Sequence, residues 1–265
     1  MKINFLNSLI LAALAIPGVA MAAEVETTEH KEGKHVIPET AHHTITSNVG
    51  LFSNYLYRGI SQTGGKPAIQ GGFDYARTGG FYAGVWGSNI STLGDVGVTA
   101  ASLELDTYVG FKSGFAENFT YDVGFLRYNY PGTYAPGATK ADTNEIYVAL
   151  GWKWLTAKHS HSLGDTFGIN EASGTNYNEL NASYSLADAG VTLGAHFGKQ
   201  TYKGVNAGSG ASSLTYTDYK LSATKDFSGY VLGLAYSDTD ATAIYTVLNK
   251  ELGKATAVLS LTRSF

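Results

Sequence analysis

Charged side chains alternate with apolar ones in several stretches of the sequence. Glu104 and Asp106 are separated by Leu105, and residues two apart in a β-strand point to the same side of the sheet. The same alternation places Asp122 and Glu145 on the polar face of later stretches. Further members of this polar set are Lys112, Lys158, Glu179, His196 and Lys220. Mixed charges on one face are typical of a polar lumen, where they form salt bridges or a transverse electric field.

Hydrolysis is a second chemistry to weigh, because serine and histidine residues occur in several of these stretches. His159 and His161 continue the apolar face of Leu155 and Ala157, so we expect both imidazoles to point away from the polar set. No nucleophile motif surrounds any serine, and a histidine without a positioned partner is weak support for catalysis. The sequence also has no cysteine, no Gly-rich phosphate loop and no metal-ligand spacing. It predicts no catalytic residue, no cofactor and no metal site.

The elements that must position the polar set are twelve alternating segments, each about ten residues long. Helical periodicity is weak throughout, with a short loop helix expected only within residues 243–252. The segments are 44–57, 67–77, 80–90, 101–112, 118–130, 143–152, 155–163, 176–186, 190–200, 215–225, 229–238 and 255–265. An even number of such strands is typical of single-chain outer-membrane barrels. The pattern predicts an all-β fold, an antiparallel up-and-down transmembrane barrel of about twelve strands.

The lengths of the connections follow the parity of the segments. Connections after even-numbered segments are short, as at residues 78–79 and 153–154, whereas those after odd-numbered segments are long, as at 131–142 and 201–214. Residues 113–117 are expected to form one of the short turns. A barrel with both chain ends in the periplasm has short inner turns and long outer loops in this alternation.

Aromatic residues cluster beside the predicted short turns, where a girdle at a membrane interface is expected. They are Phe81, Tyr82, Trp152, Trp154, Phe227 and Tyr230. The composition agrees with strands that face lipid, since Gly 32, Tyr 18 and Phe 12 stand beside 15% charged residues, against about 25% in soluble domains. The net charge of −4 and the lack of a basic stripe indicate no nucleic-acid partner.

Residues 1–22 have the pattern of a secretory signal peptide. Lys2 supplies the positive start, residues 9–16 are a short apolar core, and Ala20 to Ala22 offer a small-x-small cleavage site. Residues 23–43 form a polar run without periodicity, which predicts a flexible periplasmic tail. Four histidines at its end, at positions 30, 35, 42 and 43, are irregularly spaced, so a solvated linker is favoured over a Zn²⁺ site. The barrel is then residues 44–265.

The last segment, residues 255–265, alternates an apolar face with a hydroxylic one and ends on Phe265. It resembles the closing strand of bacterial outer-membrane barrels, which pairs with the first strand and removes both sheet edges. Arg263 departs from that pattern, because an aromatic or aliphatic residue is usual there, although a long stem can snorkel to the interface. The resemblance implies two partners, the outer-membrane lipid and the barrel-assembly machinery that engages the strand ending in Phe265.

A more particular resemblance lies in the first three segments. The runs Tyr-Leu-Tyr-Arg-Gly-Ile-Ser-Gln-Thr at 55–63, Pro-Ala-Ile-Gln-Gly-Gly-Phe-Asp-Tyr at 67–75 and Gly-Phe-Tyr-Ala-Gly-Val-Trp-Gly-Ser-Asn at 80–89 resemble the TorF family of bacterial porin-like proteins. The likeness spans about residues 46–265. It implies a small outer-membrane barrel with a transport role and no catalytic residues.

Arg58 closes the first predicted strand of this motif, and we expect it at the outer rim, where its guanidinium can pair with Asp74 or Glu104. A rim arginine that only fixes strand geometry is an equally good interpretation. Gly71–Gly72 and Gly84 remove side-chain bulk, and packing space for Tyr82 and Trp86 is favoured over a ligand site.

Channel function is the interpretation that these patterns favour, with Glu104, Asp106, Asp122, Glu145 and Arg58 as candidate lumen residues. Charges turned to lipid near the midplane would cost up to a few kcal/mol, so Glu104 and Asp106 are expected to face inward and to favour cations. The solute is a small polar molecule or ion. A non-conducting surface barrel is the alternative, and an outer-membrane hydrolase is less favoured. The sequence leaves the oligomeric state open.

Overall fold

The computed structural model describes residues 42–97 and 99–265. The predicted signal peptide, and nearly all of the predicted tail with His30 and His35, lie outside the described residues, so both stay predictions. His43, which the prediction placed at the end of the tail, begins the first strand. No helix in the described part of the chain has the length and apolar character needed to cross a membrane.

Twelve antiparallel strands close into one barrel, as the alternating segments predict. They are β1 (His43–Phe52), β2 (Ala68–Arg77), β3 (Phe81–Asn89), β4 (Leu103–Ala116), β5 (Phe119–Asn129), β6 (Thr143–Trp152), β7 (Leu155–Ser162), β8 (Asn176–Leu186), β9 (Val191–Thr201), β10 (Tyr216–Phe227), β11 (Tyr230–Thr239) and β12 (Thr256–Ser264). Each strand pairs with its neighbours in sequence, and β1 also pairs with β12.

The closing pair joins the two ends of the barrel sequence. Val49 on β1 lies opposite Arg263 on β12. Beyond the end of β12, the backbone of Phe265 donates to Ser47 at 2.8 Å and accepts from Ser47 at 3.0 Å. Every barrel strand therefore has two hydrogen-bonded neighbours, so the sheet has no free edge.

The two faces of the wall differ as the alternation predicts. On β2, Ile69 and Phe73 are 58% and 63% exposed, whereas Gln70, which follows Ile69, and Asp74, which follows Phe73, are buried. The same contrast recurs around the barrel, with leucine, isoleucine, valine and phenylalanine outside. An apolar exterior of this extent marks a surface made for a partner other than water.

Aromatic side chains collect on the outside near the short turns. Phe81, Trp152, Trp154, Phe227 and Tyr230 are all exposed there, but the prediction for Tyr82 is wrong. Since Tyr82 is the neighbour of Phe81 on one strand, it points inward, where it is buried. The guanidinium of Arg263 lies 4.3 Å from the Tyr230 ring centroid, so this departure from the terminal pattern is accommodated by a cation–π contact.

The parity of the connections is also confirmed. Short turns follow the even-numbered strands, and the long connections 53–67, 90–102, 130–142, 163–175, 202–215 and 240–255 lie at the opposite end of the barrel. These loops contain a helical turn at Thr92–Asp95, 3₁₀ turns at Gly210–Ser212 and Ala243–Tyr245, and hairpins at Leu56–Tyr57/Ile60–Ser61 and Thr246–Val247/Lys250–Glu251. A third 3₁₀ turn, Ala187–Ala189, lies in a short turn.

Three predicted element bounds are wrong. The first strand ends at Phe52 and not at Tyr57, because the Asn54 side chain then accepts hydrogen bonds from Ser61 and Thr63 within the loop and competes with the ladder. The turn predicted at 113–117 is shorter, since β4 continues through a bulge to Ala116. The helix expected within 243–252 is a single 3₁₀ turn followed by a hairpin.

Tyrosine rings fill the interior opposite glycines on neighbouring strands. A Cβ at Gly110 would overlap Tyr82, and one at Gly124 would overlap Tyr147. Gly84 in the same way leaves room for Tyr108. The glycines therefore provide packing space, but Gly84 accommodates Tyr108 and not Tyr82 or Trp86 as predicted, and Gly110 accommodates Tyr82. This part of the barrel is filled by aromatic side chains.

Gly110→Ala should destabilise the barrel by about 1–3 kcal/mol, since the added methyl group meets both the Tyr82 ring and the Val123 carbonyl oxygen. Gly114→Ala, on the same strand and face, is the matched control, because its nearest heavy atom is 3.6 Å away. Urea unfolding of the refolded variants in detergent measures both effects. Equal midpoints for the two variants would contradict the packing role of Gly110.

Candidate functional site

The first long connection, which we call loop 1 (residues 53–67), folds into the barrel interior. Leu56–Tyr57 pairs with Ile60–Ser61 in a hairpin whose two turn residues are Arg58 and Gly59. Their φ angles are 47° and 77°, which is the pattern of a type I′ turn. Arg58 has a positive φ, which is uncommon for a residue with a Cβ. The contacts of loop 1 therefore have to hold Arg58 in this conformation at the hairpin tip.

Arg58 makes a bidentate ion pair across the lumen. Its Nη1 donates to Glu145 Oε1 at 3.0 Å and its Nη2 to Glu145 Oε2 at 2.7 Å. Nη1 also donates to Gln200 Oε1 at 2.8 Å. The sequence predicted Asp74 or Glu104 as the partner, and this is wrong, because the hairpin extends the reach of Arg58 to β6 and β9. Loop 1 is thereby fastened to two separate parts of the wall.

Aromatic rings frame the ion pair. The guanidinium carbon of Arg58 lies 4.8 Å from the Tyr57 ring centroid and 4.3 Å from that of Tyr177. The Tyr57 hydroxyl donates to the Tyr128 hydroxyl at 2.7 Å, and Tyr128 donates to Glu145 at 3.3 Å. Arg58 and Glu145 are both nearly inaccessible to solvent. The carboxylate and guanidinium are thus held in a dry polar network.

Glu104 and Asp106 lie side by side on the inner face of β4 and are completely buried. No hydrogen-bond donor of the described residues reaches either carboxylate oxygen of Glu104 or Oδ1 of Asp106 with acceptable geometry. The hydroxyl groups of Tyr55 and Tyr130 lie beside Glu104. Burial raises the pKa of Tyr55, in loop 1, and of Tyr130, just beyond β5. Both hydroxyls therefore stay protonated at neutral pH.

Asp122 lies on the inner face of β5, in the aromatic part of the interior. It accepts a hydrogen bond from the Tyr82 hydroxyl at 2.6 Å, and that hydroxyl also contacts the hydroxyl of Tyr147. Lys112 is its register partner on β4, and the ammonium group of Lys158 lies 4.2 Å from the Tyr147 ring centroid. This carboxylate is therefore surrounded by donors and by positive charge.

A third polar cluster is centred on His196 of β9. Its Nε2 lies 2.9 Å from both the Tyr177 hydroxyl and Asp218 Oδ1. Its Nδ1 lies 2.7 Å from Asn181 Oδ1 and 3.7 Å from Glu179 Oε2. The neighbours of the imidazole are carboxylates, an amide and a phenol, so among the described residues this cluster has an orienting carboxylate and no serine nucleophile in contact with His196.

The charges of the described interior are distributed unevenly. The wall formed by β2 to β6 carries five carboxylates and one lysine, whereas β7 to β10 carry two of each. The inward carboxylates are Asp74, Glu104, Asp106, Asp122, Glu145, Glu179 and Asp218, and the inward bases are Arg58, Lys112, Lys158 and Lys220. Leaving His196 aside, the lining has seven carboxylates and four bases, so negative charge predominates.

Sequence alternation placed the carboxylates and lysines on the inner face, and the structure places them there. It brings Arg58 to Glu145, and it holds Glu104 and Asp106 together, whereas Asp122 lies apart from both groups. His159 is exposed on the outer face, as expected. The residues that sequence reasoning missed are Tyr57, Gln200, Tyr177 and Asp218. The alternation of β8 to β10 contains a signal for the last three, but nothing local in the sequence marks which of them meet loop 1.

Solved structures of low sequence identity share the barrel architecture. The NanC porin is 12% identical, with 84% of this chain and 99% of that chain covered and a TM-score of 0.50. Pseudomonas aeruginosa OprD is 12% identical, with 83% and 66% covered and a TM-score of 0.38. Acinetobacter baumannii OccAB2 is 8% identical, with 76% and 55% covered and a TM-score of 0.42. The chain thus spans less than two thirds of the OprD and OccAB2 chains, and these likenesses concern the fold alone.

The sequence comparison gives a family. A search of curated proteins finds no match. The family model described as "Bacterial protein of unknown function (Gcw_chp)" matches residues 38–265, which include the whole barrel. The TorF name inferred from the motifs of loop 1 and the strands after it is not confirmed by this match and stays a resemblance. The chain belongs to the Gcw_chp family of bacterial proteins, and its fold is a porin-like twelve-stranded barrel.

Proposed function

We propose that this protein is an outer-membrane channel that passes small polar solutes or ions through a narrow, cation-favouring lumen. The observation that carries the proposal is the inward hairpin of loop 1, whose Arg58 meets Glu145 across a charged interior. A loop folded into a barrel narrows the passage and sets the charge at its narrowest point.

Placement in the outer membrane is supported by the exterior. Apolar side chains cover the wall and aromatic side chains gather near the short turns, as in barrels that face lipid. The closed sheet satisfies the backbone groups of every strand within the wall, which a hydrocarbon environment requires. The predicted signal peptide provides export, and the strand ending in Phe265 provides the segment for the barrel-assembly machinery.

The route for solutes is supported by small residues that lie beside the tyrosine-filled part of the interior. Inward positions on the short-turn side of β9 to β12 carry Gly194, Ser222, Gly233 and Ser260, in contrast to the tyrosines of β3 to β6. This half of the wall therefore has more free width. Loop 1 lies at the other end of the same interior and forms the constriction.

The orientation of the barrel gives a prediction for intact cells. An epitope tag within residues 131–142 or 202–214 should be reachable from outside, because long loops of such barrels are extracellular. A tag at 187–189, in a short turn, should be reached only after the outer membrane is permeabilised. Cell fractionation should recover the protein in the outer membrane. Recovery in the soluble periplasm, or surface labelling at the short turn, would refute the placement.

Arg58→Ala should widen the constriction and raise single-channel conductance about twofold or more, since it removes the side chain that fastens loop 1 to the wall. It should also strengthen cation preference in a salt gradient. Arg127→Ala is the matched control, because Arg127 points outward and pairs with Asp142. Planar-bilayer recordings measure both variants. An unchanged conductance for Arg58→Ala would contradict the role of loop 1 as the constriction. Absence of currents in the unsubstituted protein would favour a non-conducting surface barrel.

A further inference from the structure

Among the inward carboxylates of the described residues, Glu104 is the one with both oxygens unmatched, and its neighbour Asp106, like Asp74, has one unmatched oxygen. Glu145 has Arg58, Asp122 has the Tyr82 hydroxyl and Asp218 has the Tyr177 hydroxyl. By contrast, no donor of the described chain reaches Glu104 Oε1, Glu104 Oε2 or Asp106 Oδ1 with full hydrogen-bond geometry, although both residues are buried and the Tyr55 and Tyr130 hydroxyls lie beside Glu104. Buried acceptors in native proteins almost always have a partner. Three buried carboxylate oxygens without a well-placed donor point to a ligand that supplies positive charge.

The surroundings specify the chemistry of that ligand. The polar groups that the structure places at the site are oxygens: the two carboxylates and the hydroxyl groups of Tyr55 and Tyr130. Oxygen donors select hard cations. No nitrogen or sulfur ligand that would favour a softer transition metal is present among these groups.

The charge of the site and the space around it narrow the class of ligand further. Arg58 is committed to Glu145, so it does not neutralise Glu104 or Asp106, and a divalent ion would balance the charge of the two carboxylates. Neither of two surface clefts includes Glu104, Asp106 or Tyr55, and the complete burial of the pair suits an ion and not an organic solute. The described residues hold no group of three or more His, Asp or Glu side chains arranged as a metal site. A bound ion would therefore complete its shell with the phenols and with water.

We propose that Glu104 and Asp106, with the hydroxyl groups of Tyr55 and Tyr130, bind one partly dehydrated hard cation inside the barrel, with Ca²⁺ as the best match in charge. The inference deepens the proposed channel function, on which it rests for the route by which ions reach the site. Since Tyr55 belongs to loop 1, a cation held here also ties that loop to β4. The site then acts as a second anchor beside the pair of Arg58 and Glu145.

Calcium binding to the full refolded chain tests this directly. After dialysis against a chelator, equilibrium dialysis with radioactive Ca²⁺ should give one ion per chain, and Tb³⁺ should show luminescence sensitised by the aromatic rings near the site. The double variant Glu104→Gln/Asp106→Asn should weaken Ca²⁺ binding at least about tenfold, because both charged ligands are lost. The control Glu117→Gln/Asp188→Asn removes the same two charges from short turns and should bind as the unsubstituted protein does.

A third variant keeps the test informative if the double variant does not fold. Tyr55→Phe removes only one hydroxyl of the site and should weaken Ca²⁺ binding severalfold while leaving the barrel assembled. Stoichiometry of zero in the unsubstituted protein, or equal affinity in the site variants and the control, would overturn the proposal and leave an acidic pair that shares a proton. Bilayer recordings separate the two claims: binding without currents refutes the channel alone, and currents without binding refute the cation site alone.

Discussion

The ion pair between Arg58 and Glu145 is the interaction on which the interior of this barrel depends. It is buried, bidentate and reinforced by Gln200, so the loss of either partner would leave an uncompensated charge that costs about 3–5 kcal/mol. Because Arg58 is at the tip of loop 1, the same interaction decides whether this loop lies inside the lumen. The burial of Tyr55 and Glu104 and the width of the proposed passage both follow from that position.

A second constraint acts on the wall. An open strand edge in an apolar exterior would leave backbone groups without partners, and the pairing of β1 with β12 removes the edge altogether. Closure with twelve strands encloses more space than the tyrosines of β3 to β6 fill. Loop 1 and the charged side chains occupy part of the remainder, and so the interior combines a packed aromatic side with a polar side.

Much of the fold could be predicted from the sequence, because a period of two and the parity of connection lengths are local patterns. The inner position of Glu104 and Asp106 follows from Leu105 between them. The partner of Arg58 could not be predicted, since an Arg-Gly hairpin looks like the continuation of a strand and its contact with Glu145 spans 87 residues. Tyr82 was assigned to the wrong face because nearness to a turn was weighed above alternation with Phe81.

Thiol modification of single-cysteine variants tests most directly whether ions pass through this lumen, since the natural sequence has no cysteine. Ser222 lies on the inner face of β10, and its neighbour Leu221 is 62% exposed on the outer face. A positively charged methanethiosulfonate reagent should reduce the current through Ser222→Cys channels in a planar bilayer and leave the current through Leu221→Cys channels unchanged. Equal responses of the two variants, or no current before modification, would contradict the account.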